Sequence, residues 1–181
     1  MAGTKHESLT LVVGGEALLV ERAVDSVVQR ARKVDPQTER RDLDATEQGI
    51  VGRIDEACSP TLFGGGAVVV IDNVESADES VVAAIVAAAA QASDEVAIVA
   101  LHAGGARGKK LLDKLSQAAG NRVDCVEIRK GRGISDFVSA EVKAAKRSMS
   151  PQAQSILIAA VGSDVRALAS AVSQLANDIE S

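Results

Sequence analysis

The chain has 181 residues, 46% apolar and 25% charged, with a net charge of −5. That length suits one domain, or one plus a small second unit, and it buries a core without disulfides or metal. Thirty-one alanines and 24 valines dominate while two phenylalanines are the sole aromatics, which excludes stacking platforms for single-stranded nucleic acid.

Leu9 to Val13 is a continuous apolar run ending at Gly14-Gly15, the pattern of a strand buried on both faces of a parallel sheet. Leu18, Val20, Val24, Val27, Val28 and Ala31 then recur at helical spacing, predicting a helix over 17–34 that stops at Asp35-Pro36. Arg40 to Leu43 is a polar strand suited to an edge, and Ile50, Ile54 and Ala57 mark one face of a helix over 47–58. Ala67 to Ile71 is the strongest strand signal. Ser76 and Glu79 have capping-box spacing before a helix over 78–92. A strand over 95–101, a helix over 108–119 and a strand over 123–128 complete the alternation. Five strands separated by helices predict an α/β fold: an open, mostly parallel five-stranded sheet with helices on both faces.

From Ile134 onward the strand signal disappears, and a small all-α unit is predicted. Ser135 to Arg147 is one helix, and Ser150-Pro151 caps a second that Gly162 ends. A third starts at Ser163, with Val165, Leu168, Val172, Leu175 and Ile179 on one face. The predicted division is an α/β domain over 1–130 and a helical lid over 134–181, joined by the basic segment Arg129 to Gly133.

Catalytic signals are broken wherever they begin. Gly14-Gly15-Glu16 sits where a phosphate loop would, but lacks the GxxxxGK[ST] spacing, and Glu16 sets a negative charge where a phosphate would lie. Ala103 to Lys110 comes closer, yet Ala103 replaces the first glycine and Lys110 replaces the magnesium-binding hydroxyl. Val68 to Asn73 reads as an apolar strand ending in an acidic pair whose second member is an amide, so the base that would activate water is missing. Cys58 and Cys125 form no CxxC pair and His6 and His102 stand alone, so no metal or cofactor site is predicted, and the thiols suit a reducing compartment. The longest apolar run, Val81 to Ala90, is ten residues, too short for a bilayer, and no signal peptide precedes Leu9. A cytoplasmic protein with no membrane partner is expected.

Two features remain. Residues 101–150 carry 11 Lys and Arg against 5 Asp and Glu, a net +6, whereas the rest of the chain carries −11. Arg107, Lys109, Lys110 and Lys114 fall in that basic stretch and would face a polyanion such as DNA, or form a solvated surface. Between Pro60 and the glycines at 64–66, Leu62 and Phe63 place two large apolar groups in a segment that reads as surface loop. They either fold back as a core plug or project as a wedge for a partner's pocket.

The blocks GGEALLVERA, SPTLFGGGAVVVIDN, KKLLDKL and GSDVRALASAVSQLA, spread over nearly the whole chain, resemble the delta subunits of the bacterial DNA polymerase III clamp loader, within the AAA+ family. The Ala/Val-rich composition is similar to actinobacterial proteins. The resemblance implies an AAA+-like sheet and lid without a functional phosphate loop. It also implies an adaptor that binds the sliding clamp and helps open it for loading onto primed DNA, leaving ATP to neighbouring gamma/tau-type and delta-prime-type subunits. Leu62 and Phe63 match the family's clamp-binding pair. No active site of its own is implied, only membership of a holoenzyme with DNA-directed DNA polymerase (nucleotidyltransferase) activity. Arg166 matches a GxxR-type sensor that would be structural here, and the family's C-terminal collar domain has no counterpart in these residues. Two other readings stay open: a divergent nucleotide hydrolase using Glu16, Asp72 and Lys109, and an auxiliary DNA-binding module using the four basic residues.

Overall fold

The computed structural model describes residues 6–59 and 65–178. The chain divides into two compact units, Met1–Val126 and Glu127–Ser181.

In the first unit the elements run β1 (His6–Val13), α1 (Ala17–Val34), β2 (Glu39–Asp44), α2 (Ile50–Cys58), β3 (Ala67–Asp72), α3 (Glu79–Gln91), β4 (Val96–His102), α4 (Lys109–Ala118) and β5 (Ala119–Asp124). They build a five-stranded sheet in the order β2-β3-β4-β1-β5, every neighbouring pair parallel. The apolar strands β3, β4 and β1 are interior, and the charged β2 and β5 form the edges. The burial of β3 explains its unbroken hydrophobicity. Val69 and Ile71 face a core built with α2, α3 and α4, while Val68 and Val70 face a second core under α1. With both faces covered, neither parity of the strand can be polar. Leu9, Leu11, Ile54, Ile71, Ile85, Ile98 and Leu115 are almost fully buried, each worth roughly 1.5–3 kcal/mol of removed apolar surface.

The last strand departs from the sequence reading. It starts at Ala119, directly after α4, and ends at Asp124, rather than spanning 123–128. As an edge strand it is set by its register with β1, in which Asn121 pairs with Thr10 and Val123 with Val12. The apolar residues beyond it do not continue the ladder, and Val126 is 68% exposed. The expected capping box at Ser76–Glu79 is also not formed. Val74–Ser76 is a 3₁₀ turn, Asp78 takes the N-cap position, and the Glu79 carboxylate turns away to Lys114 Nζ at 2.8 Å.

The second unit contains α5 (Arg132–Ala144), α6 (Pro151–Val161) and α7 (Val165–Asp178). Its core forms from Ile134, Phe137, Val138 and Val142 of α5 with Val165, Leu168, Ala169 and Val172 of α7. α5 starts and stops three residues earlier than the periodicity predicts, and Lys146 follows its end with a positive φ of 55°. The Ser150 side chain caps α6 by accepting from the Ala153 N–H at 3.2 Å. The third helix is capped by Asp164, not Ser163: Asp164 Oδ1 accepts from the Ala167 N–H at 2.8 Å. Arg147 donates to the Ala176 carbonyl at 3.0 Å, holding the end of α7. Ile179, the last step of the predicted stripe, lies outside the described residues.

Candidate functional site

Because the strands are parallel, their C-terminal ends lie along one edge, where open α/β sheets hold ligands. The β1–α1 turn at that edge is closed by backbone. The Gly14 N–H donates to the His102 carbonyl at 2.9 Å and the Glu16 N–H to the Cys125 carbonyl at 3.1 Å. The Cys125 N–H in turn donates to the Val13 carbonyl at 2.6 Å. A phosphate loop works by aiming free amides at oxygen anions. Here two of those amides, Gly14 and Glu16, are consumed by carbonyls, and Glu16 stands at the N-cap of α1 with its acid beside the positive helix end.

The acidic end of β3 is likewise engaged in structure. Asn73 adopts the left-handed backbone that asparagine tolerates, with φ 58°, which brings its Nδ2 to Asp44 Oδ2 at 3.0 Å. The Asn73 N–H donates to Asp72 Oδ1 at 2.7 Å. Asp44 also accepts from the Thr46 hydroxyl at 2.6 Å and the Thr46 N–H at 2.8 Å. Those bonds, together with the Asn73 amide, hold its carboxyl below the usual range and keep it ionised. Asp72, Asn73 and Asp44 thus make a turn-stabilising cluster. Glu16 is the N-cap of α1, Asp72 the last residue of β3 and Lys109 the first of α4.

The basic segment after β4 hangs on a buried histidine. His102 Nδ1 accepts from the Gly104 N–H at 2.9 Å, which leaves Nε2 carrying the proton opposite the Gly108 carbonyl at 3.3 Å. Glu75 accepts from the Ala103 N–H at 3.1 Å. Arg107 sits exposed in this turn, and Lys109 and Lys110 are exposed in the first turn of α4. Two cations at the positive end of a helix oppose its dipole, and the carboxylates of Glu75 and Glu79 stand beside them. Lys114 differs from the other three. Its ammonium is bound to Glu79, and Lys114 and then Lys110 hold the Glu79 carboxyl below its ordinary range.

Leu62 and Phe63 lie outside the described residues, and the structure describes the two ends from which their segment springs. At the N-terminal end, Arg41 Nη1 donates to the Ala57 carbonyl at 2.7 Å and the Ser59 hydroxyl to the Asp55 carbonyl at 2.8 Å. Burial, and then Asp55, push the neighbouring Cys58 thiol up to about 11, so it is neutral and a poor nucleophile at pH 7. At the C-terminal end, the Gly66 N–H donates to Asp35 Oδ2 at 2.9 Å. Sequence reasoning missed Asp35, His102 and Glu75. Asp35 and Glu75 act on backbone groups 31 and 28 residues on, and His102 on the turn directly after it; residue type alone carries no signal of either.

No protein-family model and no curated protein matches the sequence. Solved structures do. A Bacillus subtilis DNA clamp loader delta protein (YqeN) superposes with a TM-score of 0.72 over 97% of this chain, at 16% identity. The chain has the fold of that protein. A Thermotoga maritima RuvB variant superposes with a TM-score of 0.54 over 96% of the chain, at 11% identity. This chain spans about half the length of each, 54% and 55% respectively. The parallel sheet followed by helices is thus a fold shared with these two proteins, in line with the fold that the sequence blocks imply.

Proposed function

We propose that this chain is a clamp-loader adaptor of the delta type, which binds the sliding clamp and helps to open it without hydrolysing ATP itself. The observation that carries the reading is a delta-like fold whose phosphate-loop turn is closed by its own backbone carbonyls. Such a subunit acts by binding, and its ATPase partners, of gamma/tau and delta-prime type, supply the nucleotide chemistry. Its place is the cytoplasm, where replication occurs.

Leu62 and Phe63 form the clamp-binding wedge. Val51, 44% exposed, and a groove between α2 and α3 lined by Cys58, Ala84 and Ala88 together with Asp55 and Gln91 lie beside Ser59, at the base of the segment. Burying both wedge residues in a clamp pocket yields ~1.5–3 kcal/mol each. A pocket better formed in the strained, open ring converts that affinity difference into opening. Arg107, Lys109 and Lys110 give a weak, strongly salt-dependent contact to primed DNA, with Lys114 contributing less because Glu79 already neutralises it.

Combining Leu62→Ala with Phe63→Ala is expected to abolish binding in a calorimetric titration against the sliding clamp, with Tm nearly unchanged. Unaltered affinity refutes the wedge. A large fall in Tm assigns the pair to the core instead.

A further inference from the structure

We infer that Ser150 is a phosphorylation site, modified by a proline-directed serine kinase with ATP as donor, and that the phosphate stiffens α6. The chain holds two Ser-Pro pairs, Ser59-Pro60 and Ser150-Pro151, and the fold gives their serines opposite surroundings. Ser59 is the C-cap of α2, whose last turn carries Asp55 and Glu56 and no basic residue, and its hydroxyl donates to the Asp55 carbonyl at 2.8 Å. A phosphate there meets the negative helix end and those acids, and the nearby Arg41 is already shared between the Ala57 carbonyl and Glu39. Ser150 is instead the exposed N-cap of α6, and the exposed cations Lys143, Lys146 and Arg147 lead up to it.

The local backbone suits the transfer. A proline biases the residue before it towards extended backbone, and Ser150 has φ −67° and ψ 153°, so the acceptor already has the form that lies along a kinase cleft. α6 has no buried residue, so its first turn opens at little cost to admit the enzyme. There the Ser150 oxygen attacks the γ-phosphorus of ATP. The new O–P bond forms as the bond from that phosphorus to the β,γ-bridging oxygen breaks; ADP leaves, and the hydroxyl proton passes to the kinase's catalytic carboxylate.

The product extends a cap that already exists. The unmodified Ser150 Oγ accepts from the Ala153 N–H at 3.2 Å. Phosphorylation adds three strong acceptor oxygens and a charge of about −1.5 to −2 at pH 7, at the positive end of the helix dipole. Arg147 is fixed for pairing with it. Its N–H donates to the Val142 carbonyl at 3.1 Å and its Nη2 to the Ala176 carbonyl at 3.0 Å, within a guanidinium that has five N–H donors in all. Asp178, the last residue of α7, is the opposing charge at that end of the helix. A phosphate held by Arg147 ties the start of α6 to the ends of α5 and α7.

The test treats the full chain with a purified MAP-type kinase and MgATP and locates the label by mass spectrometry. Phosphate is expected on Ser150 well above Ser59, and Ser150→Ala is expected to lose most of the incorporation. In native-state exchange the α6 amides of the phosphorylated chain should exchange about three- to tenfold more slowly than those of the unmodified chain. Arg147→Gln should shrink that increment, each variant being compared with its own unmodified form so that the lost α7 contact cancels. No label on the full chain, or label on Ser59 alone, overturns the site. Exchange of α6 that is unchanged or faster after phosphorylation overturns the stiffening, and an increment that survives intact in Arg147→Gln overturns the pairing. None of these readouts involves the sliding clamp, so they stand apart from the function proposed above.

Discussion

A methyl group on Gly14 would stand 2.0 Å from the Cys125 carbonyl oxygen, on a residue with φ of 138°. Its neighbour Gly15 has open space where a β-carbon would go. The sequence presents the two as one glycine turn, since composition cannot distinguish a residue pressed against backbone from one facing solvent. Gly14→Ala is expected to destabilise by about 2–4 kcal/mol, read from the urea midpoint, and Gly15→Ala by less than about 1 kcal/mol. Comparable effects for the pair would mean that the closure of this turn is weaker than its geometry indicates. Asp35 and Glu75 were illegible for a related reason. Their bonds run to main-chain groups that the fold brings near, whereas the broken phosphate-loop spacing was legible because it is a local pattern.

Among the elements, apolar runs with two covered faces were readable almost to the residue, as at β3, and termini were not. β5 follows its ladder with β1 rather than its own hydrophobicity, and Glu79 abandons a local cap for Lys114. The cap that was legible, Ser150-Pro151, rests on two coincident local signals: a hydroxyl acceptor and a residue with no N–H to satisfy. It matters more than most, because α6 has no buried residue and takes little support from packing. Ser150→Ala is expected to lower the protection of α6 amides by about 1 kcal/mol in native-state exchange, with α5 and α7 nearly unaffected. Equal loss across all three helices would show the second unit to be a single cooperative block.

At the scale of the whole molecule, alternation of strands and helices was sufficient for the α/β class, the parallel sheet and the change to an all-helical unit after it. Leu62 and Phe63 were singled out by sequence for an equally simple reason: they are large apolar groups between a proline and glycines. The role proposed for them comes from the family resemblance, and a match at 16% identity shows the fold without assigning the residues. If ATP belongs to neighbouring subunits, the isolated chain should ignore it. Millimolar ATP with magnesium is expected to leave Tm unchanged and to be hydrolysed no faster than in buffer. A ligand-induced rise in Tm would revive the divergent hydrolase.

The closure at Cys125 carries a corollary. The peptide that fills the first bend belongs to the stretch of chain leaving the sheet for the helical unit, so the obstruction is main chain, independent of side-chain identity. Grafting a lysine and a hydroxyl onto that bend would not recreate a nucleotide cradle, because the exit route of the polypeptide would have to be re-threaded first. Substitutions at the bend alone would therefore leave it closed.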